Sequence, residues 1–178
     1  MPILELCAGY GGLGRAVEAL TGERVRYVAE VDPNAALILS ARYPEAPNIG
    51  DIREFDWSRI AGRVNIITAG FPCQDISNAG KRAGIHGERS SLWRHVAEAV
   101  RVLRPDYVFL ENVAAIRRRG LQVVLGDLAE IGYDARWTSF RASGIGAPHH
   151  RDRWFCVASP SAHPDRIGRH EGAGLRQG

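Results

Sequence analysis

The segment "ILELCAGYGGLG", residues 3–14, contains the pattern that decides the fold. Its opening residues, "ILELC", are mostly apolar and are typical of a buried β-strand. Gly9, Gly11 and Gly14 then fit the G-x-G-x-x-G spacing of a tight turn between a strand and a helix. Residues 13–20 carry apolar side chains at helical spacing. The segment therefore predicts a strand, a glycine turn and a helix, which together form the first unit of an α/β sheet.

Strand-like and helix-like segments alternate along the rest of the chain. Further strands are predicted at residues 24–31, 64–70, 106–112 and 153–159, and further helices at residues 34–43, 91–103 and 121–131. Asp32-Pro33 is a typical helix start and Gly132 a typical helix stop. This alternation predicts an α/β fold with a doubly wound, mostly parallel sheet and helices on both faces. Ligands of such sheets bind at the carboxyl ends of the strands.

The composition is that of a single soluble domain with a real core, since 45% of the 178 residues are hydrophobic and 24% are charged. The apolar runs are strand-sized, which argues against a transmembrane helix. No basic region precedes the first run, which argues against a secretory signal. Cys7, Cys73 and Cys156 form no CxxC pair, so we interpret them as reduced thiols of a cytoplasmic protein rather than as disulfides or zinc ligands.

The basic residues are almost all arginines. The formal net charge is only +3, and Lys81 is the single lysine among 23 basic residues. A coding sequence rich in G and C explains this bias, but the forked guanidinium also suits phosphates and base edges. The charge therefore leaves nucleic-acid binding open without requiring it.

The glycine turn predicts a ligand site whose ligand the pattern alone leaves open. Glu30 ends the second predicted strand, where an acid can bind ribose hydroxyls. The ligand is either a dinucleotide with its pyrophosphate at the helix N-terminus or a nucleoside cofactor such as S-adenosylmethionine. Two more acids, Glu5 and Asp51, favour the second, because carboxylates repel a pyrophosphate and attract a sulfonium.

A second candidate site involves Cys73, in "GFPCQDIS" (70–77), directly after a predicted strand. Pro72 stiffens the backbone there, and a cysteine acts as a nucleophile in its thiolate form. Glu111, in "ENV", ends the next strand at the same end of the sheet. A carboxylate would raise the pKa of a neighbouring thiol, so Glu111 makes more sense as a group that acts on the substrate. The thiolate would add to an electron-poor ring carbon while the carboxyl group contacts a ring nitrogen, and cytosine is such a ring.

The ordered motifs "ELCAGYGG", "EVD", "GDI", "GFPCQDIS", "ENV" and "HHRDR", spread over about residues 3–159, resemble those of the DNA cytosine-5 methyltransferases. The resemblance implies a Rossmann-like methyltransferase domain over residues 1–159 that binds S-adenosylmethionine and a cytosine flipped out of double-stranded DNA. In that family Cys73 matches the nucleophile and Glu111 the group that contacts nitrogen 3. Arg151 and Arg153 match the pair that holds the target nucleotide and the catalytic loop. The implied cofactor contacts are Glu5, Cys7, Gly9, Gly11, Gly12, Glu30, Val31, Asp51, Ile52 and Pro72.

Basic residues outside these motifs predict contacts to DNA. Arg82 and Arg89 lie in the loop after Cys73, and they join Arg151 and Arg153 as expected DNA contacts. The run "RRRG", residues 117–120, is interpreted as a helix end that faces water or phosphate. No third ligand is spaced near His149-His150, so no metal is expected.

The sequence departs from the family pattern in three places. Cys7 replaces the usual phenylalanine of the first motif, and His149 replaces the glutamine before the arginine pair. The third departure follows the arginine pair, where residues 160–178 are polar and are expected to form a flexible tail. Family members continue into a target-recognition region, so either a second polypeptide supplies it, or the sequence is truncated, or the enzyme is minimal. The alternatives kept open are a DNA-binding module that needs a partner chain, a tRNA cytosine methyltransferase and a nicotinamide-dependent oxidoreductase. A bacterial or phage origin and a cytoplasmic location are expected.

Overall fold

The computed structural model describes residues 2–72, 92–146, 148 and 150–161. Its strands are β1 (Ile3–Leu6), β2 (Val25–Ala29), β3 (Ile66–Ala69), β4 (Tyr107–Val113), β5 (Tyr133–Arg141) and β6 (Asp152–Pro160). Its α-helices are α1 (Gly12–Thr21), α2 (Pro33–Arg42), α3 (Leu92–Leu103), α4 (Ile116–Arg119) and α5 (Leu121–Ile131). Two 3-10 turns lie at Trp57–Ile60 and Ala142–Ile145.

These strands form one sheet in the order β2-β1-β3-β4-β6-β5. The pairs from β2 to β4 are all parallel, whereas β6 runs antiparallel to both β4 and β5. The parallel strands therefore finish at one end of the sheet, called the carboxyl end below. Because of the antiparallel pairing, β6 begins and β5 finishes at that same end. The predicted mostly parallel α/β sheet is confirmed.

Apolar side chains cover both faces of the sheet. The larger cluster includes Trp93 of α3, Leu128 of α5 and Trp154 of β6, all essentially fully buried. The smaller cluster packs Val17 of α1 and Leu39 of α2 against the other face. Burial of this much apolar area is the main source of stability in such a domain.

In strand β4 the alternation of side chains between the two faces of the sheet determines which residues face the candidate site. Val108, Leu110 and Asn112 are buried, whereas the residues between them are only half-buried. Successive side chains of a strand point to opposite faces. Asn112 therefore points into the larger cluster, and Glu111 points to the opposite face.

Local signals read from the sequence are confirmed at both ends of helices. The Asp32 carboxylate accepts a hydrogen bond from Ala35 N at 2.8 Å and caps α2, whose first residue is Pro33. Gly132 ends α5 with a left-handed φ of 87°. Strand β5 was not predicted, because charged and aromatic residues mix in "YDARWTSFR" and the segment borders only β6.

Several predicted residues lie outside the described part of the chain, namely Cys73, Arg82, Arg89, His149 and the tail beyond residue 161. Among the described residues, no helix is both long enough and apolar enough to cross a membrane.

Candidate active site

The glycine turn brings the start of α1 close to the carboxyl end of β1. Gly11 has a left-handed φ of 76°, and a Cβ atom at that position would lie 2.9 Å from the Tyr43 ring. The Tyr43 hydroxyl donates a hydrogen bond to Gly11 O at 3.2 Å. Glycine is needed there for both its backbone conformation and its lack of a side chain. At Gly9 and Gly12 a Cβ would meet nothing within 4 Å, so the outer surface of the turn is open.

Glu30 fastens the end of β2 to this turn. Its Oε2 accepts a hydrogen bond from Gly9 N at 2.7 Å, and its Oε1 accepts one from Asp32 N at 2.8 Å. The Asn48 side chain in turn bonds both backbone groups of Glu30, at 3.1 and 2.9 Å. The predicted ribose-binding acid is therefore already oriented by backbone amides, and each oxygen keeps a further lone pair for a ligand hydroxyl.

Glu5 lies under the turn rather than at its open surface. The side chain is only 2% exposed, and its Oε1 accepts a hydrogen bond from Gly14 N at 2.7 Å. Its Oε2 is buried and has no hydrogen-bond partner within the described residues. Burial raises the pKa of Glu5 to about 7, against the lowering effect of the Gly14 bond. The position supports a role in holding the turn, and it does not support the direct contact with a cofactor that the sequence suggested.

The other predicted cofactor residues differ in what they can offer. Val31 is 66% exposed at the end of β2, next to the turn. Ile52 is buried in the larger cluster, so only its backbone can reach a ligand. Asp51 is held by the Arg53 guanidinium at 2.5 Å, and the hydrogen bonds from Arg53 keep the pKa of that carboxyl below its usual range. A ligand that binds Asp51 must therefore share it with Arg53.

Cys7 directly follows β1 and has a left-handed φ of 51°, a conformation that costs a non-glycine residue about 1–2 kcal/mol. Its side chain packs on the larger cluster. The apolar surface that a bound adenine would need is instead offered by Val31 and by Tyr10, which is 64% exposed. Pro72 is exposed at the far side of the same end of the sheet.

The ends of β3 and β4 are joined by Asn112, a residue that the sequence analysis did not single out. Asn112 Nδ2 donates a hydrogen bond to Phe71 O at 2.7 Å, and its Oδ1 accepts one from Val113 N at 2.8 Å. The Phe71 ring packs against Trp93, with 5.1 Å between the ring centroids. These contacts fix the backbone immediately before Pro72. The "ENV" motif was the available signal, but only its glutamate was assigned a role.

Glu111 lies beside this junction and is paired with Arg153. Arg153 Nε lies 2.7 Å from Glu111 Oε1, and both side chains are about one-quarter exposed, at 23% and 27%. The other oxygen, Oε2, would lie 3.5 Å from a Cβ atom at Gly70. The ion pair therefore occupies one carboxylate oxygen and leaves the second beside the segment that leads to Cys73. A charge-assisted bond of this length orients a side chain well.

The predicted residues thus form two groups along the carboxyl end of the sheet. Gly9, Glu30 and Val31 lie around the ends of β1 and β2, whereas Glu111 and Arg153 lie at the ends of β4 and β6. Arg151 is exposed just before β6, and among the described residues the ion pair of Glu111 is with Arg153. Within the described residues, no group of three histidine, cysteine, aspartate or glutamate side chains could hold a metal ion.

The sheet order, the glycine turn and the acid at the end of β2 define a Rossmann-like α/β domain, a fold in which ligands bind at the carboxyl end of the sheet. Residues 1–167 match the family described as C-5 cytosine-specific DNA methylase. The chain belongs to this family.

Individual proteins similar to this chain include type II methyltransferases. Type II methyltransferase M.CviJI of Paramecium bursaria Chlorella virus IL3A is 36% identical over 156 residues, which are 87% of this chain and 42% of the relative. Type II methyltransferase M.DsaV of Dactylococcopsis salina is 32% identical over 161 residues, 88% of this chain and 45% of the relative. The chain thus spans less than half the length of these two relatives. A mutant of Spodoptera frugiperda DNMT2 superposes with a TM-score of 0.75 at 22% identity, covering 96% of this chain and 53% of that one, and this similarity supports the fold.

Proposed function

We propose that this chain transfers a methyl group to carbon 5 of cytosine in DNA, with S-adenosylmethionine as the donor and Cys73 as a covalent nucleophile. Membership of the family supports this proposal. The observation that carries it is the bond from Asn112 to Phe71 O, at 2.7 Å. It ties the strand that bears Glu111 to the backbone that leads into Cys73.

The described residues fit a nucleoside cofactor at the glycine turn. The open surface over Gly9 and Gly12 allows close approach of a ligand, and Glu30 presents two oriented oxygens for ribose hydroxyls. Exposed Val31 and Tyr10 offer apolar contact to a base. S-adenosylmethionine, when bound there, supplies an electrophilic methyl group. A carboxylate also suits the positive charge of its sulfonium, and Asp51 offers one that it shares with Arg53.

The chain's own groups would act on the cytosine ring. In the proposed reaction the Cys73 thiolate forms a bond to carbon 6 as the double bond between carbons 5 and 6 opens, and a proton passes from Glu111 Oε2 to nitrogen 3, which neutralises the negative charge that grows on the ring. Carbon 5 then carries the electron pair that accepts the methyl group. Water takes the proton from carbon 5, the thiolate departs from carbon 6, and nitrogen 3 returns its proton to Glu111, which restores the aromatic ring. Arg153 positions Glu111 throughout, because it holds the other carboxylate oxygen.

Methyl transfer is tested with radiolabelled S-adenosylmethionine, the full chain and cytosine-containing duplexes. We expect label at carbon 5 of cytosine with the wild-type chain and none with Cys73→Ser, because an alkoxide is much harder to form than a thiolate. Glu111→Gln should lower the rate by about 100-fold or more. Cys156→Ala, which changes a cysteine buried in β6, is the matched control and should retain transfer. Label on another atom or base, or full activity in Cys73→Ser, would refute the assignment.

A second candidate is a unit that methylates only together with another polypeptide that supplies target recognition. Transfer that appears only after addition of a neighbouring-gene product would support this candidate. A tRNA substrate in a parallel reaction tests the RNA alternative, and nothing in the comparisons supports the nicotinamide-dependent one. We also propose that the chain acts in a restriction-modification system in a bacterial cytoplasm, because its relatives include bacterial and viral type II methyltransferases.

A further inference from the structure

Charge is unevenly divided along the carboxyl end of the sheet. The half formed by β2, β1 and β3 carries the acids Glu30, Asp32 and Asp51, the last of which is paired with Arg53. The half formed by β4, β6 and β5 carries two acids, Glu111, which is paired with Arg153, and Asp152, which lies opposite Arg141, and it carries a larger number of exposed arginines. They are Arg117 and Arg118 after β4, Arg151 before β6 and Arg141 at the end of β5.

The register places the end of β4, which leads to Arg117 and Arg118, beside the start of β6, and it places Arg141 beside that start on the other side. Val113, the last residue of β4, pairs with Arg153, and Arg141 pairs with Asp152. Neighbouring strands lie about 4.8 Å apart, so the row from β4 across β6 to β5 is about 10 Å wide. The row begins directly beside the Glu111–Arg153 pair.

Arg117 and Arg118 line a cavity of about 470 Å³ together with Ala114 and Ala115. Arg117 Nε donates a 3.3 Å hydrogen bond to Ala114 O, which holds the base of the guanidinium and leaves its terminal nitrogens available. Neither arginine has a carboxylate partner within the described residues. The anchoring Ile116 is fully buried in the larger cluster, so the short helix α4 presents both guanidiniums from a fixed position.

Unpaired guanidiniums beside a site for a flipped base suit one kind of ligand. Backbone phosphates of nucleic acid are anionic, regularly spaced and able to accept bidentate hydrogen bonds from arginine. The acidic half of the same sheet end would repel phosphates and leaves the basic half as the side that they can approach. We infer that Arg117, Arg118 and Arg141 bind backbone phosphates of the nucleic-acid substrate and extend the contact expected at Arg151 onto β4 and β5. This inference rests on the proposed function.

The test is a titration of a fluorescently labelled duplex with the full chain, without cofactor, at several salt concentrations. Each phosphate contact contributes about 0.9 to the slope of log affinity against log salt. Arg117→Gln/Arg118→Gln should therefore reduce the magnitude of the slope by about 1.8, and Arg141→Gln by about 0.9. The control Arg24→Gln/Arg63→Gln removes two exposed arginines that precede β2 and β3, at the opposite end of the sheet, and should keep the wild-type slope.

One further variant, together with melting temperatures and a methyl-transfer assay, separates the possible failures. Arg117→Lys/Arg118→Lys keeps both charges and should keep the slope, and unchanged melting temperatures show that the variants are folded. The inference is overturned if the glutamine pair changes the slope no more than the Arg24/Arg63 control does, or if the lysine pair loses as much as the glutamine pair. The first of these results is also expected if the arginines face another polypeptide. Failure of the proposed function looks different, because the wild-type chain would then bind duplex with the full salt dependence and transfer no methyl group.

Discussion

Replacing Glu5 by glutamine should remove a pH dependence from the stability of this protein. Glu5 is almost completely buried under α1, and one of its oxygens has no partner in the described structure. Burial raises its pKa from the ordinary 4.5 to about 7, assisted by the negative charge of Glu18 and opposed by the Gly14 amide and by Arg42. The folded state therefore prefers the neutral acid more strongly than the unfolded state does.

The size and sign of the effect follow from proton linkage. A gap between 4.5 and about 7 corresponds to about 3 kcal/mol, at about 1.4 kcal/mol per pKa unit. Because the folded-state pKa is the higher one, this contribution to stability is fully present below about pH 4.5 and is lost as the pH rises to about 7. Glutamine has the shape of the neutral acid and does not titrate. The stability of Glu5→Gln relative to the wild type should therefore increase by about 2.5 kcal/mol between about pH 5 and pH 8.

Urea unfolding followed by circular dichroism, at a series of pH values in this range, measures the difference. Other titrating groups are common to both proteins and cancel in the comparison. Glu54→Gln, which makes the same change at an exposed glutamate, is the matched control. A difference for Glu5→Gln that varies with pH no more than that of the control would show that Glu5 is ionised at little cost in the fold, and would contradict its burial without a second hydrogen-bond partner.

Two other substitutions test the packing that holds the site. Gly14→Ala should lower the free energy of unfolding in urea by about 3 kcal/mol, because the new Cβ would lie 2.1 Å from Glu5 Oε2. At Gly12 a new Cβ meets nothing within 4 Å, so Gly12→Ala should be neutral or stabilising by about 0.5 kcal/mol. Equal effects of the two substitutions would contradict the close approach of α1 to Glu5. Asn112→Ala should cost about 1–3 kcal/mol, since it leaves the Phe71 carbonyl without its donor, and a neutral result in the same measurement would mean that the two strand ends are not joined as described.

The parts of the fold that were predictable from the sequence are those determined by local chemistry. Continuous apolar runs marked the central strands, Asp32 and Pro33 marked the start of α2, and Gly132 marked the end of α5. Strand β5 was not predictable in this way. Its residues alternate poorly between polar and apolar, and the strand exists because its backbone pairs with β6 over nine positions.

The residues of the candidate site likewise differ in how far the sequence predicts them. The motifs identified which residue types matter, but the pairing of Glu111 with Arg153 depends on the antiparallel register of β4 and β6, which the sequence analysis does not predict. The burial of Glu5 and the role of Asn112 depend on how closely a helix packs on a strand and on which way a side chain points across a strand pair. Both are tertiary properties, and no periodicity in a single segment carries them.

The central claim is that Cys73 attacks cytosine, and a duplex containing 5-fluorocytosine tests it most directly. Fluorine cannot leave carbon 5 as a proton does, so elimination stalls after methyl transfer and the protein stays bonded to the base. After nuclease and trypsin digestion the adduct should be found on the peptide of residues 64–81, which contains Cys73, and only when S-adenosylmethionine is present. Cys7 and Cys156 lie on the separate tryptic peptides 1–15 and 154–166. An adduct on either of those peptides, or methyl transfer to ordinary cytosine without any trapped complex, would contradict the account.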